Sequence, residues 1–282
     1  MPVSTSHTRM KQLFKLQGSP LGRLDQIAHK PDELTTFANM FSGCTALTEV
    51  KMEYCNTEKV TSMNEMFKGC NGLRSIDLSK WNTSSLTTAI NMFKECECLE
   101  EVNLSGWDVS NVTSFQGMFI DSPCLKSVNI SNWNAPAKPV CCVGMFSGTA
   151  ITKVNIPVVP VLKLSDARDV FKNCELLETV LLSGQVTGAP NMTGMFEGCT
   201  ALTTVNLSGW LLPEDVNISS MFRGCTALRS VNLSGWKLTG TNILTDMFKN
   251  CPVEELIIKN SDDHTVSKLL GQISGNINVI RS

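Results

Sequence analysis

One short phrase recurs nine times along this 282-residue chain. Clear copies are MFSGCTALTEV at Met40, MFKGCNGLRSI at Met66, MFEGCTALTTV at Met195 and MFRGCTALRSV at Met221. The phenylalanines of the nine copies are 25 to 27 residues apart and lie at Phe41, Phe67, Phe93, Phe119, Phe146, Phe171, Phe196, Phe222 and Phe248. A repeat of this length is one supersecondary unit that cannot bury its apolar face alone. The period therefore predicts a solenoid in which each unit forms one coil and packs against its neighbours.

The apolar spacing within one copy predicts a helix followed by a strand. Val60, Met63 and the Met66–Phe67 pair recur at helical spacing, which predicts a two-turn helix. Two residues beyond the phenylalanine, eight of the nine copies have Gly, Asn or Asp, which tolerate the left-handed conformation that ends a helix. The alternation that follows, in Ile76-Asp77-Leu78, predicts a short strand. The predicted fold is an α/β leucine-rich-repeat solenoid of about nine coils, with a parallel concave β-sheet and short helices on the convex side.

The pattern divides the chain into three segments. We expect an N-terminal helical cap at residues 1–31, the solenoid at residues 32–259 and a C-terminal cap at residues 260–282, because the end coils of a solenoid must be covered. The solenoid is irregular at residues 134–168, where four prolines interrupt the pattern. Since proline cannot donate to a strand ladder, we expect the chain to bulge or shift there. The irregularity is either a partner contact or drift in a decaying repeat.

Charge and hydropathy exclude two classes of partner. The formal net charge is −2 and the 24 basic residues are scattered, so the sequence predicts no nucleic-acid binding. No apolar run reaches the roughly 18 residues that span a bilayer, so we expect no membrane insertion by this chain. The first residues also lack the apolar core of a signal peptide.

The cysteines and tryptophans of the repeat are predicted to lie inside the coil. Seven of the twelve cysteines follow the phenylalanine by three residues, where a free thiol packs as a small apolar group. Five tryptophans follow the last strand aliphatic by three residues, where each fills a corner of the coil or joins an exposed aromatic ladder. The three histidines lie outside the repeats. We therefore predict no metal site and no cofactor.

The repeat also resembles a known family. MFKGCNGLRSIDLSKW, from Met66 to Trp81, and MFRGCTALRSVNLSGW, from Met221 to Trp236, are similar to the motif of the BspA-like leucine-rich-repeat proteins. That resemblance implies a non-enzymatic bacterial surface protein that adheres to host proteins or other cells. It implies no catalytic residues and a location at the cell surface or outside the cell, whereas the lack of a signal peptide favours the cytoplasm.

The outward positions of the predicted strands form two polar columns, with one residue per coil in each. They supply the candidate binding residues on the concave face, namely Lys51, Asp77, Asn103, Asn129, Asn155, Asn206, Asn232, Ser79, Ser105, Ser131, Ser208 and Ser234. Amides and hydroxyls can pair along such a ladder, so the columns are either framework alone or framework and recognition face together. Neighbouring positions such as Arg74, Glu101 and Lys153 vary from coil to coil, as a partner-specific surface requires.

The sequence favours binding over catalysis. Acidic residues are dispersed, no histidine lies in a repeat, and there is no glycine-rich phosphate loop, so we predict that the chain is not an enzyme. The leading hypothesis is a binding module that holds a protein or glycan on its concave face and acts in adhesion at a cell surface. The alternative is an intracellular structural or scaffold subunit.

Overall fold

The computed structural model describes residues 35–50, 56–134, 136–154, 164–181 and 191–281. These residues form a parallel-strand β-solenoid of about seven turns with little helix, which is consistent with a leucine-rich-repeat-like fold. The count of nine coils stays a prediction, because residues 51–55, 155–163 and 182–190 lie outside the described ranges. The N-terminal cap predicted at residues 1–31 also lies outside them.

Short strands of two or three residues recur along the stack. In chain order they are β1 Ser75–Asp77, β2 Glu101–Asn103, β3 Ser127–Asn129, β4 Val140–Cys141, β5 Lys153–Val154, β6 Leu164–Asp166, β7 Thr179–Leu181, β8 Thr204–Asn206, β9 Ser230–Asn232, β10 Glu255–Ile257 and β11 Asn278–Ile280. The main sheet has two parts, ordered β1-β2-β3 and β11-β10-β9-β8-β7-β5, and all pairs are parallel. The central residue of a strand points inward, as at Val102 and Val205, so the predicted parallel sheet is confirmed.

A second, sparser ladder runs along another side of the coil. Single parallel bridges join Thr36, Ser62, Thr88, Ser114 and Cys141 in succession, and another series joins Asn191, Asn217 and Ile243. Strands β4 and β6 continue this ladder, with a register shift between Val140 and Cys141. The shift lies inside the segment at 134–168, where the prolines predicted a bulge or shift.

The predicted convex helices are wrong. In each copy the Met-Phe segment forms consecutive turns instead of a helix. Alternate N–H groups donate to the next coil, as from Glu65 to Ile90 O and from Phe67 to Met92 O, both at 2.8 Å. The Met66 N–H donates back to Met63 O at 3.2 Å, three residues earlier. Because half of the donors bond across coils, the i to i−4 ladder of an α-helix cannot form. The apolar spacing is the same in both arrangements.

Left-handed residues make these turns possible. The position two residues after the phenylalanine has positive φ in all nine copies, including Glu95 (φ 59°), which the sequence pattern did not identify. A second left-handed position lies two residues before the phenylalanine, as at Glu65 (φ 54°) and Ser220 (φ 56°). The predicted left-handed conformation is confirmed, but it closes a turn and does not end a helix. Two such residues per copy keep the Met-Phe pair directed inward.

The interior consists of columns of identical side chains. The nine phenylalanines form one unbroken stack with ring centroids 5.3–5.6 Å apart. The repeat tryptophans fill the coil corner, as predicted: Trp107 and Trp210 are 1% exposed and Trp236 is fully buried. Five of the seven repeat cysteines, Cys70, Cys96, Cys174, Cys199 and Cys225, are fully buried, which confirms the thiol column there, while Cys44 and Cys251 are partly buried against the core.

Cysteine and tryptophan also join adjacent coils by hydrogen bonds. The Cys225 thiol donates to Phe196 O at 3.1 Å, and the Trp236 indole N–H donates to Leu207 O at 2.9 Å. Ser122 takes the cysteine position in one copy and donates to Phe93 O at 2.7 Å. Each of these two positions therefore requires a side chain that can donate one hydrogen bond. At the cysteine position that side chain is compact, and at the tryptophan position it is large and apolar.

The C-terminal segment contains a helix and the last strand. Among the described residues one α-helix, α1, spans Asp263–Leu270, and the Asp262 carboxylate caps it by accepting the Thr265 N–H at 2.7 Å. Its inward side buries Val266 and Leu269, while Thr265 Oγ1 accepts the Leu238 N–H at 2.8 Å. Strand β11 pairs with β10. This arrangement is compatible with a cap at residues 260–282, and the domain boundaries stay predictions.

Candidate binding face

The described members of the predicted asparagine column lie at the carboxyl ends of the main-sheet strands. Asp77, Asn103 and Asn129 end β1, β2 and β3, while Asn206 and Asn232 end β8 and β9. Register pairing aligns them within each part of the sheet. Lys51 and Asn155 lie outside the described residues. We refer to the outward side chains of the main sheet as the sheet face.

Each of these side chains closes a local turn. The Oδ1 atom accepts the backbone N–H of the serine two residues later, at 2.9–3.1 Å in all five cases. The pairs are Asp77 with Ser79, Asn103 with Ser105, Asn129 with Ser131, Asn206 with Ser208, and Asn232 with Ser234. This is an Asx turn, for which Asn and Asp are suited. Ten of the twelve predicted binding residues therefore belong to these five pairs, which stabilise local turns.

The Asn column keeps outward polar groups beyond this turn. Asn103 Nδ2 donates to Asp77 Oδ2 at 3.1 Å, which links β1 to β2 at the sheet face. The pKa of Asp77 is lowered, chiefly by hydrogen bonds from the Ser79 hydroxyl and backbone N–H and to a smaller extent by Asn103. A carboxylate and a row of amides therefore lie at the surface in fixed orientations.

A charged column flanks the Asn column on the upstream side. Glu100 accepts from Arg74 at 3.3 Å and from Lys126 at 2.9 Å, so three coils share one ion-pair chain. The pKa of Glu100 is lowered, first by the hydrogen bond from Lys126 and then by the charges of Lys126 and Arg74. In the C-terminal half, Arg229 pairs with Glu254 at 3.0 Å. Sequence reasoning named Arg74 but missed Glu100 and Lys126, whose alternating signs at 26-residue spacing were the available signal.

The described part of the chain contains neither a metal-ion cluster nor a helix that could cross a membrane. No group of three or more His, Cys, Asp or Glu side chains is arranged to hold a metal ion there. Within the same ranges, no helix combines the length and the apolar character that a bilayer crossing requires.

Comparison with protein families identifies a family for this chain. A family model described as "Mycoplasma protein of unknown function, DUF285" matches residues 35–159 and 140–260. The chain belongs to this family. The resemblance to BspA-like leucine-rich-repeat proteins is thereby confirmed.

Solved structures give more distant similarities. A leucine-rich cell surface protein from Faecalibacterium prausnitzii A2-165 is 20% identical, with a TM-score of 0.41, over 87% of this chain and 76% of that one. The Toll–Spatzle complex, described as a hub in Drosophila development and innate immunity, contains a chain that is 15% identical, with a TM-score of 0.34. That match covers 86% of this chain and 42% of the other. A comparison with curated proteins found no match.

Proposed function

We propose that this chain is a non-enzymatic binding module that holds a protein or glycan ligand on its sheet face and acts in adhesion at a cell surface. The observation that carries the proposal is the contrast between columns. Buried columns repeat the same residue in coil after coil, whereas the exposed charged column changes sign between neighbours, from Arg74 to Glu100 to Lys126. A rigid framework with variable exposed positions is suited to partner-specific recognition.

The two exposed columns have different parts in this proposal. The Asn column holds the turns through Oδ1, and each of its asparagines also has an amide Nδ2 donor. The charged column supplies the distinctive groups, since the side chains of Arg74, Lys126 and Glu254 are 72%, 63% and 73% exposed. Exposed ion pairs contribute little to stability, so these side chains can leave their ion pairs and bind the charges of a ligand. The face is broad and lacks a central aromatic anchor in its described part, which favours modest affinity.

The test uses a substitution that keeps the fold. Asn129→Asp with Asn206→Asp preserves the Oδ1 acceptor of both Asx turns, as Asp77 does naturally, but replaces two amide donors by negative charges. A matched control is Asn56→Asp with Asn217→Asp. These residues close the same kind of turn away from the strand ends, with the N–H groups of Glu58 and Ser219 at 3.0 Å.

Binding is measured against immobilised extracellular-matrix proteins and a glycan panel. A ligand found in this way should lose at least about tenfold in affinity, about 1.4 kcal/mol, with the sheet-face variant. The control variant should bind as the unmodified chain does. Equal binding by both variants would place the ligand elsewhere on the solenoid. If the chain turned over a substrate, and this activity were lost when one repeat residue was changed, the result would contradict the proposal that the chain is non-enzymatic.

The second candidate is an intracellular scaffold subunit, and the thiols favour it. The fully buried repeat cysteines Cys70, Cys96, Cys174, Cys199 and Cys225 are free thiols, as expected in a reducing compartment. Protease treatment of intact source cells separates the two candidates, since a surface protein is cleaved and a cytoplasmic one is protected until lysis. Neither candidate function involves nucleic acid as a partner.

A further inference from the structure

Two cysteines outside the buried thiol column occupy the same position of adjacent coils. Cys98 precedes Leu99 in one coil and Cys124 precedes Leu125 in the next. The coils are in register on both sides of this position. Lys126 N–H donates to Glu100 O at 3.0 Å, and the Cys96 N–H donates to Ser122 Oγ at 3.2 Å. The two thiols are therefore neighbours along the stack.

These two thiols are more exposed than the five fully buried repeat cysteines. Cys124 is exposed and Cys98 is partly exposed. Cys96 is fully buried and donates to Phe67 O at 3.1 Å, and burial raises its pKa to about 12. Burial likewise raises the pKa of Cys174 to about 11. Because the thiolate is the reactive species, the buried column is inert, whereas a solvent reagent can reach Cys98 and Cys124.

The separation suits a covalent bridge. Neighbouring parallel strands lie about 4.8 Å apart, inside the roughly 4.4–6.8 Å range of Cα separations in disulfides. A cation is also near. The pKa of Lys126 is raised, first by the hydrogen bond and charge of Glu100 and to a smaller extent by Cys124, so Lys126 lies close to Cys124.

We propose that Cys98 and Cys124 form a thiol–disulfide exchange site that reacts with small disulfides of the glutathione class. The Cys124 thiolate attacks one sulfur of the small disulfide, which breaks its S–S bond and releases one thiolate. The Cys98 thiolate then attacks Cys124 Sγ in the mixed disulfide and releases the second. Two protein thiols are oxidised to one S–S bond, while one small disulfide is reduced to two thiols, and the two protons of the protein thiols pass through solvent to the two released thiolates.

The experiment uses the full chain, first reduced and then freed of reductant. Titration with glutathione disulfide should give a species that has lost two hydrogen atoms and carries no glutathione on these residues. Digestion after Glu97, Glu101 and Lys126 places Cys98 and Cys124 in two peptides that contain no other cysteine, so mass spectrometry identifies the bridged pair. Both residues should resist alkylation until a reductant is added.

Single variants separate the two steps. Cys98→Ser should stop at a stable glutathione adduct on Cys124, and Cys124→Ser should lose the bridge. Cys141→Ser, which removes a partly exposed thiol from a different column, should bridge as the unmodified chain does. A glutathione adduct on both residues of the unmodified chain, no reaction, or a bridge that uses Cys96 would each overturn the proposal. The alkylation result on the unmodified chain stands even where a variant fails to fold.

Discussion

The side of the solenoid that is formed by the Met-Phe turns, here called the Met-Phe side, differs from the main sheet in how it continues through the irregular segment at 134–168. On the Met-Phe side, Phe119, Phe146 and Phe171 remain stacked with centroids 5.3 and 5.5 Å apart. The inter-coil bonds continue as well, from Phe119 N–H to Met145 O at 2.9 Å and from Phe146 N–H to Val170 O at 2.8 Å. In the described part of the sheet, β3 pairs with β2 and β5 pairs with β7, and no pairing joins β3 to β5.

The difference shows which side maintains the stack. The phenylalanine spacing changes to 27 and then 25 residues here, so one residue is gained and then lost. The Met-Phe side has a ring contact and several backbone bonds per coil, whereas a main-sheet strand has three residues at most. The extra residue is therefore accommodated elsewhere in the coil, at the register shift beside Val140 and in the interrupted sheet.

Removing one ring should break the better-ordered side and give the largest effect. Phe196 is fully buried, with Phe171 at 5.4 Å and Phe222 at 5.6 Å. Phe196→Ala should lower the free energy of unfolding by about 3–5 kcal/mol, because a large cavity replaces the ring. Denaturant titration followed by circular dichroism measures the loss. Ser208→Ala on the sheet face should change it by less than about 0.5 kcal/mol, and the reverse order would mean that the faces are wrongly assigned.

Removing one indole donor should have a smaller effect. Trp236→Phe keeps an aromatic ring but leaves Leu207 O without the 2.9 Å bond from the indole. Because the group is buried, we expect a loss of about 1–3 kcal/mol in the same titration. Trp133 makes the equivalent bond to Leu104 O at 2.8 Å but is only partly buried, so Trp133→Phe should cost less. Equal losses would mean that the ring volume, and not the hydrogen bond, decides the residue.

Two glycines separate backbone strain from steric contact. Gly198 and Gly209 both have positive φ, 73° and 77°. A Cβ on Gly198 would meet Asn173 Oδ1 of the neighbouring coil, whereas a Cβ on Gly209 would have nothing within 4 Å. The left-handed conformation costs a non-glycine residue roughly 1–2 kcal/mol, so both Gly→Ala variants should be destabilised by about that amount. The midpoint of thermal unfolding should be lower for Gly198→Ala than for Gly209→Ala, because only the Cβ at residue 198 meets a neighbouring coil. Identical midpoints would contradict the close contact on the Met-Phe side.

The smallest effect tests the framework part of the sheet face. Asn206→Ala removes the acceptor for the Ser208 N–H, which is bonded at 3.0 Å. We expect a loss of about 0.5–1.5 kcal/mol, the usual net contribution of one hydrogen bond. Asn206→Asp retains the acceptor and should be nearly neutral. If both variants unfold as the unmodified chain does, the Asx turn adds nothing measurable to the sheet.

Much of the fold was predictable from the repeat, while the local conformation was not. The inward positions of Phe67, Cys70 and Ile76 follow from spacing, because any coil with this period must bury them. The helix prediction failed because its apolar spacing also fits a series of turns, and only the neighbouring coil shows where the Phe67 N–H is bonded. The left-handed Glu95 had no signal of its own, since glutamate has no preference for that conformation.

The placement of the candidate residues on the sheet was predictable, and their contacts were predictable only in part. Alternation places Asn103 and Asn206 at the ends of exposed strands, as observed. Their Asx turns depend on the path of the chain after the strand, which apolar patterning does not determine. The ion-pair chain through Glu100 depends on contacts between coils, and such contacts appear only when the stack is assembled.

By itself, the sequence determined the period, the parallel stacking and the identity of the buried columns, because burial of one apolar face per repeat leaves no other economical arrangement. Only the tertiary structure decided the hydrogen-bond partners. A backbone N–H has two ways to be satisfied, within its own coil or across to the next, and both satisfy the same apolar pattern. Once coils stack in register, carbonyls such as Phe196 O and Leu207 O face the next coil, and this explains why cysteine and tryptophan recur opposite them.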